Sequence, residues 1–284
     1  MTFDQAIPQV AIVVPTRNSG LTLRDCLASI RSQSYSCNLV VVDNESTDDT
    51  LKIAEELADL LLHVGPERSA QRNAGAAATS ASIVGFIDSD MVLSPSVVVE
   101  AVGAIASGAV SVVVPEKTVG AGFWARVSAY ERSFYEGSAS IEAPRFFLRS
   151  VFEEVGGFDE AMTGAEDWDL GLRTISRGSR VRIVAHIVHE EGRVRYFNLC
   201  RKKAYYAPGV ALFVKKHGVR SLVGMSHRRW LNPRVLVRPL GLGLLALKAG
   251  QAIAMTFALI WALFGRRFKL PGRPIDSIHN RGTD

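Results

Sequence analysis

Four short aliphatic runs constrain this chain most: VAIVV at residues 10–14, NLVVV at 38–42, LLLHV at 60–64 and SIVGFI at 82–87. A fifth, AVSVVV, covers 109–114. The runs are continuously apolar rather than alternating, the pattern of strands buried on both faces. Between them, residues 21–31, 46–60, 69–79 and 95–106 space their apolar side chains as helices do. Ser and Thr stand at cap-like positions at the start of the second of these segments. Strands alternating with helices predict an α/β fold, a mostly parallel Rossmann-like sheet flanked by helices on both faces.

Such sheets bind ligands beyond the carboxyl ends of their strands. The residues at those ends are polar or acidic: Pro15-Thr16-Arg17-Asn18, Asp43-Asn44-Glu45-Ser46, Asp88-Ser89-Asp90 and Pro115-Glu116-Lys117. Residues two apart in extended backbone point the same way, so Asp88 and Asp90 can present two carboxylates on one face. Paired carboxylates suit a hard divalent cation such as Mg2+ or Mn2+, although a D-x-D also occurs in solvated turns. Asp43 can accept hydrogen bonds from a base or ribose, or act as a turn former. Ser46, Asp48 and Asp49 read as a cap and first-turn acids. Arg72 and Asn73 lie on a helix expected to face the same edge, where Arg72 can pair with a diphosphate or remain a surface arginine. Further on, GGFDEAMTGAEDWDLGLR (156–173) reads as a glycine-punctuated loop followed by a helix that Glu166 and Asp167 open. The positive helix end keeps such an acid ionised, as a general base must be. Asp169 and Arg173, four apart, are expected to form a helix-surface pair.

Taken in order, PTRN, VVDNESTDDT, the Arg72-Asn73 helix, FIDSD and GGFDE…GAEDWDLGLR resemble the family 2 inverting glycosyltransferases of the GT-A fold, over roughly residues 8–205. The resemblance implies a metal-dependent transfer of a sugar from a nucleoside-diphosphate sugar, a UDP-sugar by preference, to an acceptor hydroxyl. It places Pro15, Thr16, Asn18, Asp43, Arg72 and Asp88 around the nucleotide, and Asp90, with Asp88, at the Mg2+ or Mn2+ ion. It makes Asp167 the catalytic base, puts Glu166 and Trp168 in the acceptor or sugar pocket, and offers His189 as a further metal ligand or a structural histidine. The implied reaction is a single displacement that turns an α-linked donor into a β-linked product. Two other readings stay open: a catalytically inactive nucleotide-sugar-binding scaffold at the membrane, and a sugar nucleotidyltransferase. PTRNSGLTLRD is a poor match to the glycine-rich basic loop that the latter needs.

The charge is divided unevenly along the chain. Residues 1–190 hold 25 Asp and Glu against 15 Lys and Arg, whereas residues 191–284 hold 3 against 18. A basic rear half points to nucleic acid or anionic lipid, and no nucleic-acid recognition motif accompanies it. Basic and aromatic residues at 194–217 read as helix, and a basic linker follows with Arg228, Arg229, Arg234 and Arg238. An apolar run at 239–265 comes next, interrupted by Lys248 and Gln251, and then a basic tail with Arg266, Arg267, Lys269 and Arg273. The run is long enough for a bilayer. A central lysine disfavours insertion by about 3 kcal/mol, which leaves three options: an interfacial helix, a single anchored segment, or a helix buried in the fold. The expected organisation is therefore a catalytic domain at 1–205, a basic linker at 206–238, a membrane-associated segment at 239–265 and a tail at 266–284. The expected location is the cytoplasmic face of a membrane, close to a glycan or lipid-linked acceptor. Cys26, Cys37 and Cys200 show no disulfide or zinc spacing, and the start MTFDQAIPQV is not expected to act as a signal peptide.

Overall fold

The computed structural model of the protein describes residues 9–138, 141–221 and 238–264. Arg228, Arg229, Arg234, Gly265 and the tail at 266–284, all picked out in the sequence, lie outside the described residues. The chain divides into two compact units. The first comprises Met1–Pro115, Ala143–Asp159 and Asp169–Ile187; the second comprises Glu116–Glu142, Glu160–Trp168 and Val188–Asp284.

The first unit is built on a seven-stranded sheet. Its strands are β1 (Val10–Thr16), β2 (Asn38–Asp43), β3 (Leu60–His63), β4 (Ile83–Phe86), β6 (Ala109–Val113), β8 (Pro144–Leu148) and β9 (Ser179–Arg182), with a short β5 (Met91–Leu93) outside it. The order is β3-β2-β1-β4-β8-β6-β9. All five aliphatic runs are strands of this sheet. β1, β2, β3 and β4 are mutually parallel, as is the β6–β9 pair, while β8 runs antiparallel to both β4 and β6. The sheet is thus mostly parallel with one reversed strand. Reversal leaves no mark in composition, because Phe146 and Phe147 of β8 are buried as completely as any residue of a parallel strand.

Side chains of β1 alternate between two cores. Val10, Ile12 and Val14 join the helices α1 (Leu23–Arg31) and α4 (Val97–Ala106), and Val13 joins the opposite face. Each buried Val or Ile contributes about 1.5–3 kcal/mol relative to exposure. Helix α3 (Arg68–Ala77) lies flat on that second face. A methyl group at its Gly75 would come within 2.4 Å of Val13 Cγ1. Helix α2 (Thr50–Leu57) begins four residues later than the sequence suggests. Residues 46–50 instead spend their polar groups on the loop after β1. Ser46 Oγ accepts from Asn18 N at 2.8 Å, Asp48 Oδ2 from Gly20 N at 3.0 Å and Thr50 Oγ1 from Ser19 N at 2.7 Å. Asp48 is the nearest thing to a cap, accepting from Thr50 N at 3.0 Å. Burial raises its pKa, but the Thr50 hydroxyl and the Gly20 and Thr50 amides bring it below the usual carboxylate value.

Helix α6 (Arg149–Glu154) and most of helix α7 (Glu166–Ile175) complete this unit. Asp169 and Arg173 correct the expectation of a surface pair. Asp169 is 0% exposed. Arg173 Nε donates to its Oδ2 at 2.8 Å, while NH1 and NH2 donate to the Val155 and Gly157 carbonyls at 2.6 and 2.7 Å. The pair is a buried strut that ties α7 to the turn after α6.

The second unit contains β7 (Glu116–Ala121), α5 (Phe123–Ser133), β10 (Ile187–Arg193), α8 (Tyr196–His217) and α9 (Pro239–Phe264). Helix α8 is continuous through residues 205 and 206, where the sequence suggested a domain boundary. Its Gly209 passes so close to the loop before α7 that a methyl group there would overlap the Thr163 carbonyl oxygen. Leu244 and Leu247 of α9 pack with Val127 of α5 and with Leu199 and Cys200 of α8. Small residues permit the approach, since a methyl group at Gly243 would lie 2.7 Å from the Phe123 ring and one at Gly250 would strike the Tyr196 hydroxyl. Within α9, Pro239–Ala262 has a mean hydropathy of 1.6 and is long and apolar enough to cross a membrane.

Candidate active site

In the first unit, the ends of β1, β2 and β4 bring most of the expected nucleotide residues to one edge. The register places Thr16 beside Asp43. Asp43 is buried and accepts from Ser46 N at 2.9 Å and from the Ser46 hydroxyl. Thr16 is 2% exposed, and its Oγ1 is buried without a hydrogen-bond partner among the described residues. An orphaned buried hydroxyl costs about 1–3 kcal/mol, so the position suits a ligand that supplies the missing partner. Asn18 sits at φ 47° and Glu45 at φ 52°, in the left-handed region, on the two loops that flank this position. Asn18 tolerates that geometry, and its Oδ1 accepts from Thr47 N at 2.9 Å. Pro15 is buried just before Thr16.

Asp88 follows β4 and is gripped from two sides. Arg72 NH2 donates to Oδ1 at 2.6 Å and Arg145 NH1 to Oδ2 at 3.3 Å. Burial works against the charge, but Arg72, Arg145 and Arg68 hold the carboxyl well below its usual range. Asp88 is thus ionised at any physiological pH. Arg72 is 0% exposed and also lies over the Phe158 ring at 5.1 Å. It faces the site edge as expected, with one of its donors directed at Asp88. Asn73 is a staple, since its Oδ1 and Nδ2 exchange hydrogen bonds of 2.9 Å with the backbone N and O of Phe158. Asp90 is half-buried, two residues beyond Asp88. The neighbouring Ser89 Oγ lies 2.8 Å from Ser19 Oγ. Burial, with the charges of Asp90 and Asp88 added, pushes the Cys26 thiol far up, so Cys26 is an inert core residue.

Two contributors escape a sequence reading. Gln71 Nε2 donates to the Thr16 and Val42 carbonyls at 3.1 and 2.6 Å and so locks the ends of β1 and β2 together. Arg145 is buried within β8, and its only signal is one charge inside the apolar stretch PRFFL. Among the described residues, no three His, Cys, Asp or Glu side chains gather to cage a metal. The half-buried carboxylates at 88 and 90 are nevertheless hard oxygen donors, which suit an ion that keeps water and phosphate as its other ligands.

In the second unit, Glu166 is buried and accepts from Gly164 N, and Asp167 is half-buried one residue into α7. Trp168 is partly core. Its Nε1 donates to the Ile141 carbonyl at 3.0 Å and its ring lies 6.2 Å from that of Phe213. His189 is buried with Nδ1 2.7 Å from Arg132 NH1, and Arg132 NH2 donates to Glu191 Oε1 at 2.6 Å. A guanidinium only donates, so Nδ1 is the acceptor and Nε2 carries the proton. Metal ligation through His189 requires this arrangement to change.

Residues 11–158 match the family described as glycosyl transferase family 2. The pre-mycofactocin glycosyltransferase of Mycobacterium tuberculosis is 28% identical over 233 residues, which cover 73% of this chain and 48% of that protein. The O-antigen chain rhamnosyltransferase RfbN of Salmonella typhimurium is 24% identical over 204 residues, covering 63% of this chain and 65% of its own. The chain thus spans about half the length of the first of these relatives. Among solved structures, the mannosyltransferase PcManGT from Pyrobaculum calidifontis, in complex with GDP-Man and Mn2+, superposes with a TM-score of 0.64 at 18% identity, covering 93% of this chain and 89% of its own. Residues 1–349 of Staphylococcus aureus TarS, in complex with UDP-GlcNAc, give 0.56 at 15% identity over 92% of this chain and 93% of theirs. These likenesses establish a GT-A-like fold. With more than half of its 284 residues inside the family match, the chain belongs to glycosyl transferase family 2.

Proposed function

We propose that the protein transfers a sugar, with inversion, from a nucleoside-diphosphate sugar to a hydroxyl of a glycan or lipid-linked acceptor at the cytoplasmic face of a membrane. The observation that carries the reading is the strand-end cluster: an ionised Asp88 held by Arg72 and Arg145, on the sheet edge that also presents Asp43 and a Thr16 hydroxyl with no partner among the described residues. Thr16, Asn18 and Asp43 bind the base and ribose, and Arg72 acts through Asp88. Asp90, with Asp88, would hold Mg2+ or Mn2+, which when bound supplies positive charge beside the diphosphate. That two solved structures of like fold were determined with GDP-Man and Mn2+ or with UDP-GlcNAc supports the donor class, and a UDP-sugar is our first choice. Asp167 takes the proton of the acceptor hydroxyl. The acceptor oxygen bonds to the anomeric carbon as the bond to the diphosphate breaks, and the nucleoside diphosphate leaves with the electron pair. Glu166 and Trp168 shape the ground near the base.

Helix α9 supports the membrane assignment by its polarity. Its charged and amide residues, Lys248 and Gln251, face the protein: Lys248 Nζ donates to Glu131 Oε1 on α5, and Gln251 is 6% exposed, while the exposed Thr256 returns its hydroxyl to the Ala252 carbonyl at 2.9 Å. The face turned away is apolar, with Leu242, Ile253 and Phe257 at 60, 59 and 69% exposure. A surface helix of a water-soluble domain has the opposite arrangement. The span of 24 residues is about 36 Å long, against a hydrocarbon core of about 30 Å. Both peripheral seating and single-segment anchoring fit these dimensions.

Thermal stabilisation by a panel of nucleotide sugars with Mn2+ tests the donor. A rise with one nucleotide series is expected, and a flat response across the panel would sink the reading. Membrane attachment is tested by Ile253→Gln/Phe257→Gln in the full chain. The variant is expected to move from the membrane to the soluble fraction in high salt, and unchanged sedimentation would refute α9 as the anchor.

A further inference from the structure

The second unit holds a charge cluster that sugar transfer does not use. Glu131 lies on the inner side of α5 and accepts from Lys248 of α9 and from the Tyr135 hydroxyl. Lys203 of α8 lies one turn beyond Leu199 and Cys200, which pack against Val127, one turn before Glu131 on α5, and against Leu244 and Leu247, beside Lys248 on α9; it feels the charges of Glu131, Lys248, Arg132 and Lys202. Glu191 of β10 is bound to Arg132 at 2.6 Å and feels Lys202. Among the described residues, four cations, Arg132, Lys202, Lys203 and Lys248, therefore share two carboxylates, Glu131 and Glu191, and both carboxylates are largely buried.

An excess of half-buried positive charge is unfavourable by itself, and an anion relieves it. The ammonium of Lys203 shows the strain: burial pushes its pKa down, and the like charges of Lys248, Arg132 and Lys202 add to this despite Glu131. A phosphate is the anion that four cations from three helices best accommodate, because it offers several charged oxygens to converging donors. The source follows from Lys248, which reaches the cluster from the inner face of the helix whose outer face is bare and apolar.

We propose that Arg132, Lys202, Lys203 and Lys248 bind the phosphomonoester headgroup of an anionic membrane lipid. The proposal rests on the reading of α9 as the membrane helix and adds a ligand to it. The site seats the second unit on a particular headgroup rather than on any anionic surface.

The test uses the full chain in neutral detergent, titrated with short-chain phosphatidic acid, phosphatidylcholine or inorganic phosphate while the unfolding midpoint is followed. Bound ligand raises the midpoint by mass action. The wild type is expected to show a saturable rise with phosphatidic acid only. Lys202→Ala/Lys203→Ala should keep the lipid-free midpoint, because removing excess charge relieves repulsion, and should need at least tenfold more lipid for the same rise. Should that variant unfold, Lys202→Glu on the half-exposed side of the cluster carries the test and is expected to abolish the response. Equal responses of wild type and variant would overturn the proposal, as would an equal rise with phosphatidylcholine. A matching rise with inorganic phosphate alone would assign the site to a soluble phosphate and overturn the lipid. A chain that leaves the membrane in the Ile253/Phe257 experiment yet fails this titration loses the phosphate site alone.

Discussion

Arg145→Met isolates the grip on Asp88. Arg145 NH1 lies 3.3 Å from Asp88 Oδ2, which corresponds to about 5 kcal/mol of gross attraction at an effective dielectric of about 20. Most of this does not reach the net balance. Methionine spares the cost of burying the guanidinium, and Asp88 keeps Arg72 at 2.6 Å. A net loss of about 1–2 kcal/mol is expected, or about 2–8 °C in the unfolding midpoint for a chain of this length. Arg72→Met removes the closer and fully buried partner, and its expected cost is about 3–5 kcal/mol. The pH dependence follows from the depressed folded-state pKa of Asp88. A depressed carboxylate stabilises the fold above its unfolded pKa of about 3.9 and loses that contribution as pH falls below it. In Arg145→Met the folded pKa rises toward the unfolded one. The stability difference between the two proteins is therefore full at pH 5–8 and narrows below about pH 4. Chemical denaturation at pH 7 and pH 3 measures both points. A gap that widens in acid, or an Arg145→Met protein less stable than Arg72→Met, would refute the clamp.

Four further outcomes are expected. Asp167→Asn should lower kcat by about 10²–10⁴ while nucleotide sugars still raise the unfolding midpoint, read by donor turnover and thermal shift; equal turnover would remove Asp167 as the base. Chelation of divalent cations should suppress sugar transfer, with Mn2+ or Mg2+ restoring it in a turnover assay. Asp169→Ala leaves the half-buried Arg173 with only its two carbonyl partners and should cost about 3 kcal/mol by denaturant titration, with little change in KM for the donor. Gly85→Ala places a methyl group 2.6 Å from the Phe146 ring, and the overpacking should cost about 1–3 kcal/mol by the same measurement.

The parallel half of the sheet was legible because VAIVV, NLVVV and SIVGFI are buried on both faces, a demand that local composition records. The direction of β8 was not legible, since a Phe-rich strand reads the same either way and its neighbours β4 and β6 are distant in sequence. Acids at strand ends were visible as local punctuation, and their partners were not. Arg145 is 57 residues from Asp88, and Glu131 is 117 residues from Lys248. A helix start at Ser46 was a fair inference from capping chemistry, yet Ser46 spends its hydroxyl on Asn18 and Asp43 instead. The resemblance puts Trp168 in the acceptor or sugar pocket; the bond from its indole N–H to the Ile141 carbonyl, 27 residues away, leaves no local mark.

Lys248, which disfavours insertion of α9 into a bilayer, contacts Glu131 and makes the helix part of the second unit's interior. The helix is consequently not a detachable tether. A foreign helix of equal hydropathy spliced in its place would leave Glu131 without the lysine and Val127, Leu199 and Cys200 without their cover. Trimming the chain before α9 to obtain a tractable soluble enzyme would expose the same surface. Under the proposed membrane reading, anchoring and folding are one interaction, and engineering one means rebuilding the other.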